Sequence, residues 1–96
     1  MNITLKGNYK TREVWLNGKP LSPNNSHKVR NHSPDGFSWS YSGSGPSQLA
    51  LAILLEITND ANLALSNYQQ FKQDHIATLP QKDFEVTIDM TKYITL

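Results

Sequence analysis

The spacing of apolar residues along the chain changes character near residue 42 and changes back near residue 84. Before the first of these points it follows a period of two. Ile3, Leu5 and Tyr9 occupy odd positions with Thr4 and Lys6 between them, which predicts a half-buried strand, although Gly7 breaks the series. Val14-Trp15-Leu16 is a second β-favouring run. It is followed by Asn17-Gly18, the dipeptide best suited to supply two residues with φ > 0 in a tight hairpin turn. The return segment Lys19-Pro20-Leu21 carries a proline without an N–H, which limits it to a sheet edge. Ser22 to Ser26 is a loop by composition, and His27 to Arg30 reads as a short strand or an extended arm. Asn31 to Gly36 is dense in turn formers, centred on Pro34-Asp35-Gly36. Phe37-Ser38-Trp39-Ser40-Tyr41 alternates aromatic and serine, which predicts a strand with one apolar face.

Beyond Ser42 the period lengthens to that of a helix. Gly43-Ser44-Gly45 forms a hinge, with Ser44 or Gly45 as the expected N-cap and Pro46 at the first helical position. That helix extends to Thr58. Its stretch from Leu49 to Leu55 is apolar all round, so it is expected at the centre of the core. Asn59-Asp60 ends it and caps a second helix over Ala61–Leu79. There Ala61, Ala64, Leu65, Tyr68, Phe71, Ile76 and Leu79 form one stripe, with Lys72 away from it. Pro80 stops this helix. Phe84 to Ile88 alternates again, and Asp89 is placed to cap a last turn containing Met90 and Tyr93. Strands followed by a helix pair predict an α+β fold. The expected form is a small antiparallel sheet with an N-terminal β-hairpin and a returning C-terminal strand. An antiparallel helix pair covers one of its faces.

Composition narrows this picture. The 96 residues and 10.8 kDa fit a single domain over 1–96, with 1–30 a basic hairpin-and-loop region and 31–96 a core holding both helices. There is no Cys, which excludes disulfides, thiolate metal sites and cysteine nucleophiles. The first residues have no charged region leading into an apolar one. The longest apolar run, Leu49 to Leu55, falls well short of the ~20 residues that span a bilayer, so no membrane association and a cytoplasmic location are expected. Net charge is only +1 but unevenly placed. Residues 1–33 hold six Lys and Arg against Glu13 alone, whereas residues 34–96 hold three Lys against seven acids.

The stretch from Asn31 through Pro34-Asp35-Gly36-Phe37-Ser38-Trp39-Ser40-Tyr41-Ser42-Gly43-Ser44-Gly45-Pro46-Ser47-Gln48 to Leu54 resembles the core motif of an uncharacterised family of small bacterial and phage proteins. That family's pattern reads hSpdGFeWGYgGSGPaQLALAiL. Ala64-Leu65, Tyr68-Gln69 and Phe71-Lys72 resemble its second-helix signature, and Leu79-Pro80 before the strand led by Phe84 also fits. The match is good over 31–96 and loose over 1–30. The chain departs from the pattern at Ser40 and Ser42, where Gly is favoured, and at Phe84, where Trp is favoured. The resemblance implies a fold and a setting in a bacterial genome, prophage or plasmid. It implies no reaction.

Candidate chemistry is thin. Gly43-Ser44-Gly45-Pro46-Ser47 opens a helix, and free N–H groups there suit an anion, which makes Ser44, Gly45 and Ser47 candidates for a nucleotide or other anionic ligand. Against this, no Lys lies between Arg30 and Lys72 to complete a phosphate cradle, and Pro46 removes one donor. The simpler reading is a tight turn that lets the helix pack on Trp39 and Tyr41. His32 and Asp35, three apart in a turn, have the residue types for an acid–base pair in a small hydrolase. Ser33, Ser44 and Ser47 are nucleophile candidates by type alone, with no Gly-x-Ser-x-Gly elbow. His27, His32 and His75 are too scattered for a metal set, so no metal and no cofactor are expected.

The aromatics at 37, 39 and 41 are interleaved with Ser rather than Lys or Arg, which favours core packing over base stacking. Trp15, in the basic third near Arg12, is a hot-spot candidate. Arg12, Trp15, Lys19, Lys28 and Arg30 therefore stand as candidates for contact with a protein bearing an acidic face. A nucleic-acid partner is weakly supported, because the pI of 8.0 lies below the value near 9 such domains show. Protection of a sheet edge by Lys and Pro competes with both readings. The resulting expectation is a non-catalytic binding protein. Its partner would be a protein, and its role that of a phage or mobile-element modulator of a host or defence protein.

Overall fold

The computed structural model describes residues 1–95. The alternating N-terminal run forms β1, Asn2–Gly7, with Ile3, Leu5 and Gly7 facing inward and the residues between them exposed. Gly7 does not break the strand. It pairs with Val14 on one side and Phe84 on the other. A Cβ at this position would lie 2.8 Å from Phe84 Cζ and 2.9 Å from Trp39 Cη2. Glycine is needed because the two rings, edge to face with centroids 4.9 Å apart, close directly over the backbone.

Strands β2, Val14–Leu16, and β3, Lys19–Pro20, are joined as expected by Asn17 and Gly18, whose φ values of 51° and 81° are those of a type I′ turn. The last strand, β4, spans Phe84–Asp89 and pairs with β1 along its whole length. The sheet is antiparallel throughout in the order β3-β2-β1-β4, so Pro20 does lie on an edge strand. The fold is α+β, with the helices on one face of the sheet.

The segment 24–29, read as loop and extended arm, is instead a six-residue helix, α1, Asn24–Val29. Pro23 already has α-region φ and ψ, and its carbonyl accepts from Ser26 Oγ at 2.7 Å and from the His27 amide at 3.0 Å. A helix this short is not stable alone; packing against the central helix holds it, with Ser26 fully buried at the contact.

The expected strand at 37–41 is also absent. Phe37 and Trp39 are buried as the alternation implied, but Ser40 has φ of 82°, which no strand accommodates. The segment is a strap. Trp39 Nε1 donates to the Pro80 carbonyl at 3.1 Å, Ser40 Oγ donates to the same oxygen at 2.8 Å, and the Ser40 amide donates to the Ile76 carbonyl at 3.2 Å.

Helix α2, Ser44–Thr58, begins before the expected position: Gly43 is the N-cap and Pro46 the third helical residue. Proline is still tolerated there, since an N–H in the first turn has no intrahelical partner. Gly45 through Leu54 are buried without interruption. Asn59 ends α2 in the left-handed conformation, and Asp60 caps α3, Ala61–Phe71, by accepting from the Leu63 amide at 3.1 Å.

The predicted second helix does not continue regularly to Leu79. Lys72–Ile76 is a π-turn, in which the Ala77 amide donates to the Lys72 carbonyl at 2.9 Å. The widened turn brings both Phe71 and Ile76 to full burial despite their five-residue spacing. It also buries Lys72, which the stripe placed outside. After β4 comes α4, Thr91–Ile94, whose N-cap is Met90 rather than the expected Asp89; Asp89, one residue earlier, accepts at Oδ1 from the Thr91 amide at 3.0 Å and the Thr91 hydroxyl at 2.7 Å.

Gly7→Ala should therefore destabilise the protein by about 1–3 kcal/mol, the cost of forcing an atom into a filled core. It should also exceed the cost of Gly18→Ala, where the positive φ is the only strain and no atom lies within 4 Å of the added Cβ. Urea denaturation of both variants tests this; equal midpoints for Gly7→Ala and wild type would contradict it.

Candidate functional site

Two surfaces carry the residues with functional chemistry. The first is the outer face of the sheet. Cross-strand pairing places Pro20, Trp15, Lys6 and Glu85 in one row across all four strands. Trp15 is half-buried there, with Lys6 Nζ 5.8 Å from its ring centroid. Hollows of about 470 Å³ and 200 Å³ flank the ring, and Lys6 and Glu85 line both.

The other candidate partner residues are dispersed. Arg12, at φ 64°, holds its guanidinium 3.7 Å from the Tyr9 ring centroid and 5.4 Å from that of Trp39, and it donates to the Tyr9 carbonyl. It is engaged in holding the β1–β2 loop. Lys19 is exposed on the edge strand, a position that suits edge protection as well as binding. Lys28 is exposed on α1, and Arg30 follows as its C-cap.

Arg30 leads into the second surface, built on Gln48. This side chain lies on α2 and is fully buried. Its Oε1 accepts from the amides of His32 at 2.7 Å and Ser33 at 3.0 Å. Its Nε2 donates to Ser26 Oγ at 2.7 Å and to the Arg30 carbonyl at 3.1 Å. The chain from 26 to 33 is thus clamped to the central helix by one amide. His27 Nε2 adds a contact to the Ser33 carbonyl at 2.8 Å.

Held this way, His32 places Nε2 2.8 Å from Tyr68 Oη on α3. Burial, together with the charges of Arg30 and Lys72, pushes its pKa below the ordinary 6.5. Asp35 is exposed in the following turn and makes no hydrogen bond to His32; the partner of the imidazole is Tyr68. The residues that sequence reasoning did not select are Gln48, Tyr68 and Lys72. The five-residue gap between Phe71 and Ile76 was the one local signal that Lys72 turns inward.

At the start of α2, Ser44 is exposed while Gly45 and Ser47 are buried. A Cβ on Gly45 would lie 2.6 Å from Ser38 Cβ and 3.2 Å from Tyr41 Oη. The glycine serves close packing of the strap, through Ser38 and Tyr41 rather than Trp39. Tyr41 itself is 49% exposed, and so does not share the core face of Phe37 and Trp39.

A third cluster is structural. Asp74, in the π-turn, accepts from Tyr93 Oη at 2.5 Å, Gln70 Nε2 at 2.8 Å and Lys92 Nζ at 3.2 Å. The Tyr93 hydrogen bond first, then those from Gln70 and Lys92, hold its carboxyl down at about 2. Burial and the same carboxylate push the Tyr93 phenol up. The Tyr93 ring also packs edge to face on Phe71 and His75, so α4 is fastened to the π-turn.

Among the described residues no three His, Cys, Asp or Glu side chains gather as a metal set, and no helix is long and apolar enough to cross a membrane. A family model described as a family of unknown function, DUF6166, matches residues 5–94. No curated protein and no solved structure matches the chain.

Two outcomes follow from this geometry. Gln48→Leu should cost about 3 kcal/mol, because it strands the His32 and Ser33 amides and the Arg30 carbonyl at about 1 kcal/mol each, while the Ser26 hydroxyl keeps its bond to the Pro23 carbonyl. Hydrogen exchange at the His32 and Ser33 amides should accelerate in the same variant, and unchanged protection would refute the clamp. Asp74 and Asp89 both titrate below their ordinary 3.8 in the folded chain. Depressed carboxyls stabilise the fold above the unfolded value and lose that contribution as pH falls through the folded one. Urea midpoints should therefore decline as pH falls from about 4 to about 2, and Asp74→Asn should decline less steeply over that window.

Proposed function

The chain belongs to DUF6166, a family of unknown function, and from that premise we propose that it is a non-catalytic binding protein whose partner is a protein with an acidic face. One observation carries the reading: Trp15 stands on the outer face of the sheet, between two hollows, with a lysine over its ring. A large, rigid aromatic side chain in this setting is the residue type that dominates protein–protein binding energy. Lys6 and Lys19 supply positive charge around it, and Glu85 beside Lys6 imposes a register on any partner. The mobile-element setting implied by the 31–54 motif makes the partner a host or defence protein of a bacterial cell, met in the cytoplasm. The tyrosine partner of His32 and the exposed position of Asp35 favour this reading over hydrolysis.

Trp15→Ala should leave the fold intact, since the ring faces away from the core, and should weaken partner binding by about 2 kcal/mol, roughly thirtyfold. The double charge reversal Lys6→Glu with Lys19→Glu should do the same through repulsion. The measurement is quantitative capture of cellular proteins by tagged wild type and by each variant, after nuclease treatment. A partner retained undiminished by both variants would overturn the proposal, and one lost on nuclease treatment would replace the protein partner by nucleic acid.

A further inference from the structure

We propose that the free edge of β4 accepts an extended basic segment of a protein partner, which joins the sheet as a fifth strand with two Lys or Arg four residues apart, opposite Glu85 and Asp89. This rim lies two strands from Trp15, and the proposal does not depend on the reading above.

The direction of the backbone groups carries the inference. The Met90 amide donates to the Met1 carbonyl at 2.8 Å, so in the register of β1 with β4 that pair is a hydrogen-bonded one. Such pairs alternate along an antiparallel ladder. Phe84, Val86 and Ile88 therefore bond to β1, while Glu85, Thr87 and Asp89 turn their N–H and C=O groups away from it. The other side of β1 agrees. The Asn17 amide donates to the Thr4 carbonyl at 2.8 Å and the Asn8 amide to the Glu13 carbonyl at 2.9 Å, so even residues of β1 face β2 and odd ones face β4. The sheet ends at β4, and among the described residues none bonds to the outward N–H and C=O groups of 85, 87 and 89. The opposite edge is blunted, since β3 has only two residues, a lysine and a proline. By contrast β4 has six residues, no proline, no lysine and an unbroken register. Val86, on its inner face, is only half-buried, so the helix layer does not seal this rim.

Charge decides what the edge accepts. Its exposed residues are Glu85, Thr87 and Asp89, and Glu85 has no ion pair among the described residues. Asp89 holds Thr91 through Oδ1, with the terminal ammonium 4.0 Å away, and makes no hydrogen bond at Oδ2. A second copy of the chain is disfavoured here. The antiparallel pairing that engages all three residues of both copies sets Glu85 opposite Asp89 twice, and like charges directly opposite repel. A partner strand with Lys or Arg at those two places turns both repulsions into attractions. Between them a β-branched residue suits Thr87. Apolar residues suit the two intervening places, whose side chains fall on the inner face beside Val86 and Ile88. The accepted pattern is thus basic, apolar, β-branched, apolar, basic. Backbone hydrogen bonds supply its affinity and alternate side chains its specificity.

The test is amide exchange and titration of the ¹⁵N-labelled full chain with a synthetic heptapeptide, Thr-Lys-Val-Thr-Val-Lys-Thr, blocked at both ends, and with the same peptide carrying Glu for Lys. In the free protein the amides of Glu85, Thr87 and Asp89 should exchange fast and those of Val86 and Ile88 slowly. The lysine peptide should shift the first three saturably and slow their exchange, and the glutamate peptide should bind about tenfold more weakly or worse. Thr87→Pro removes one outward N–H and no bond to β1, and should weaken the lysine peptide about tenfold. It leaves Lys6, Trp15 and Glu85 in place, so its effect is separate from any at the Trp15 face. Glu85→Lys should weaken the peptide about fivefold and serves as the second variant if Thr87→Pro does not fold. The proposal is overturned if the three amides are already protected in the free chain, if no saturable shift occurs at millimolar peptide, if the glutamate peptide binds as well, or if both variants bind as wild type does. Protection that rises with protein concentration alone would also overturn it, replacing the partner by a second copy.

Discussion

A helix with no polar face must be covered on every side, and α2 is such a helix: Gly45 through Leu54 are buried in succession. Most of the remaining chain serves that requirement. The inner face of the sheet covers one side, α3 with its π-turn another, and the irregular stretch from α1 through the strap the rest. The one long polar side chain on the covered part of α2, Gln48, would be prohibitive without partners in such a setting. It has four, and by taking them from residues 26–33 it decides how that stretch lies.

The same demand for coverage explains the local departures from regular structure. The strap approaches α2 closely enough to require Gly45, and Trp39 reaches across to β1 closely enough to require Gly7. The π-turn gives up regular helical geometry over one turn, and in exchange both Phe71 and Ile76 enter the core. Its side effect is chemical. The wider turn draws Lys72 inward along with them.

Charge is redistributed by folding. Along the chain the basic residues precede the acidic ones, which suggests one basic face. Pairing of β4 with β1 instead sets Glu85 beside Lys6 and Asp89 beside Asn2. Arg12 is consumed in stacking on Tyr9 and Trp39, and Lys19 sits at the edge. Arg30, from the basic third, and Lys72, from the acidic remainder, add to burial in holding the His32 pKa below its ordinary value.

Elements specified by neighbouring residues could be read from the chain itself. The alternation of β1 and β4, the Asn17-Gly18 turn, the all-apolar run of α2, the Asn59-Asp60 stop and cap and the final turn behind Asp89 all rest on interactions within a few positions. Elements that depend on distant partners could not be read in this way. Ser22 to Ser26 has loop composition and His27 to Arg30 reads as a short strand or extended arm, yet Asn24–Val29 becomes helical where it packs against α2. Phe37 to Tyr41 has a strand's alternation, but its hydrogen bonds go to residues about 40 positions away, at Ile76 and Pro80. His32 and Asp35 are neighbours in sequence, yet the imidazole pairs with Tyr68, 36 residues on, because Gln48 turns the backbone that way. Sequence determined which segments are stiff and which are apolar. The tertiary structure decided which polar groups meet, since that depends on how the cover closes over a helix that has no exposed side.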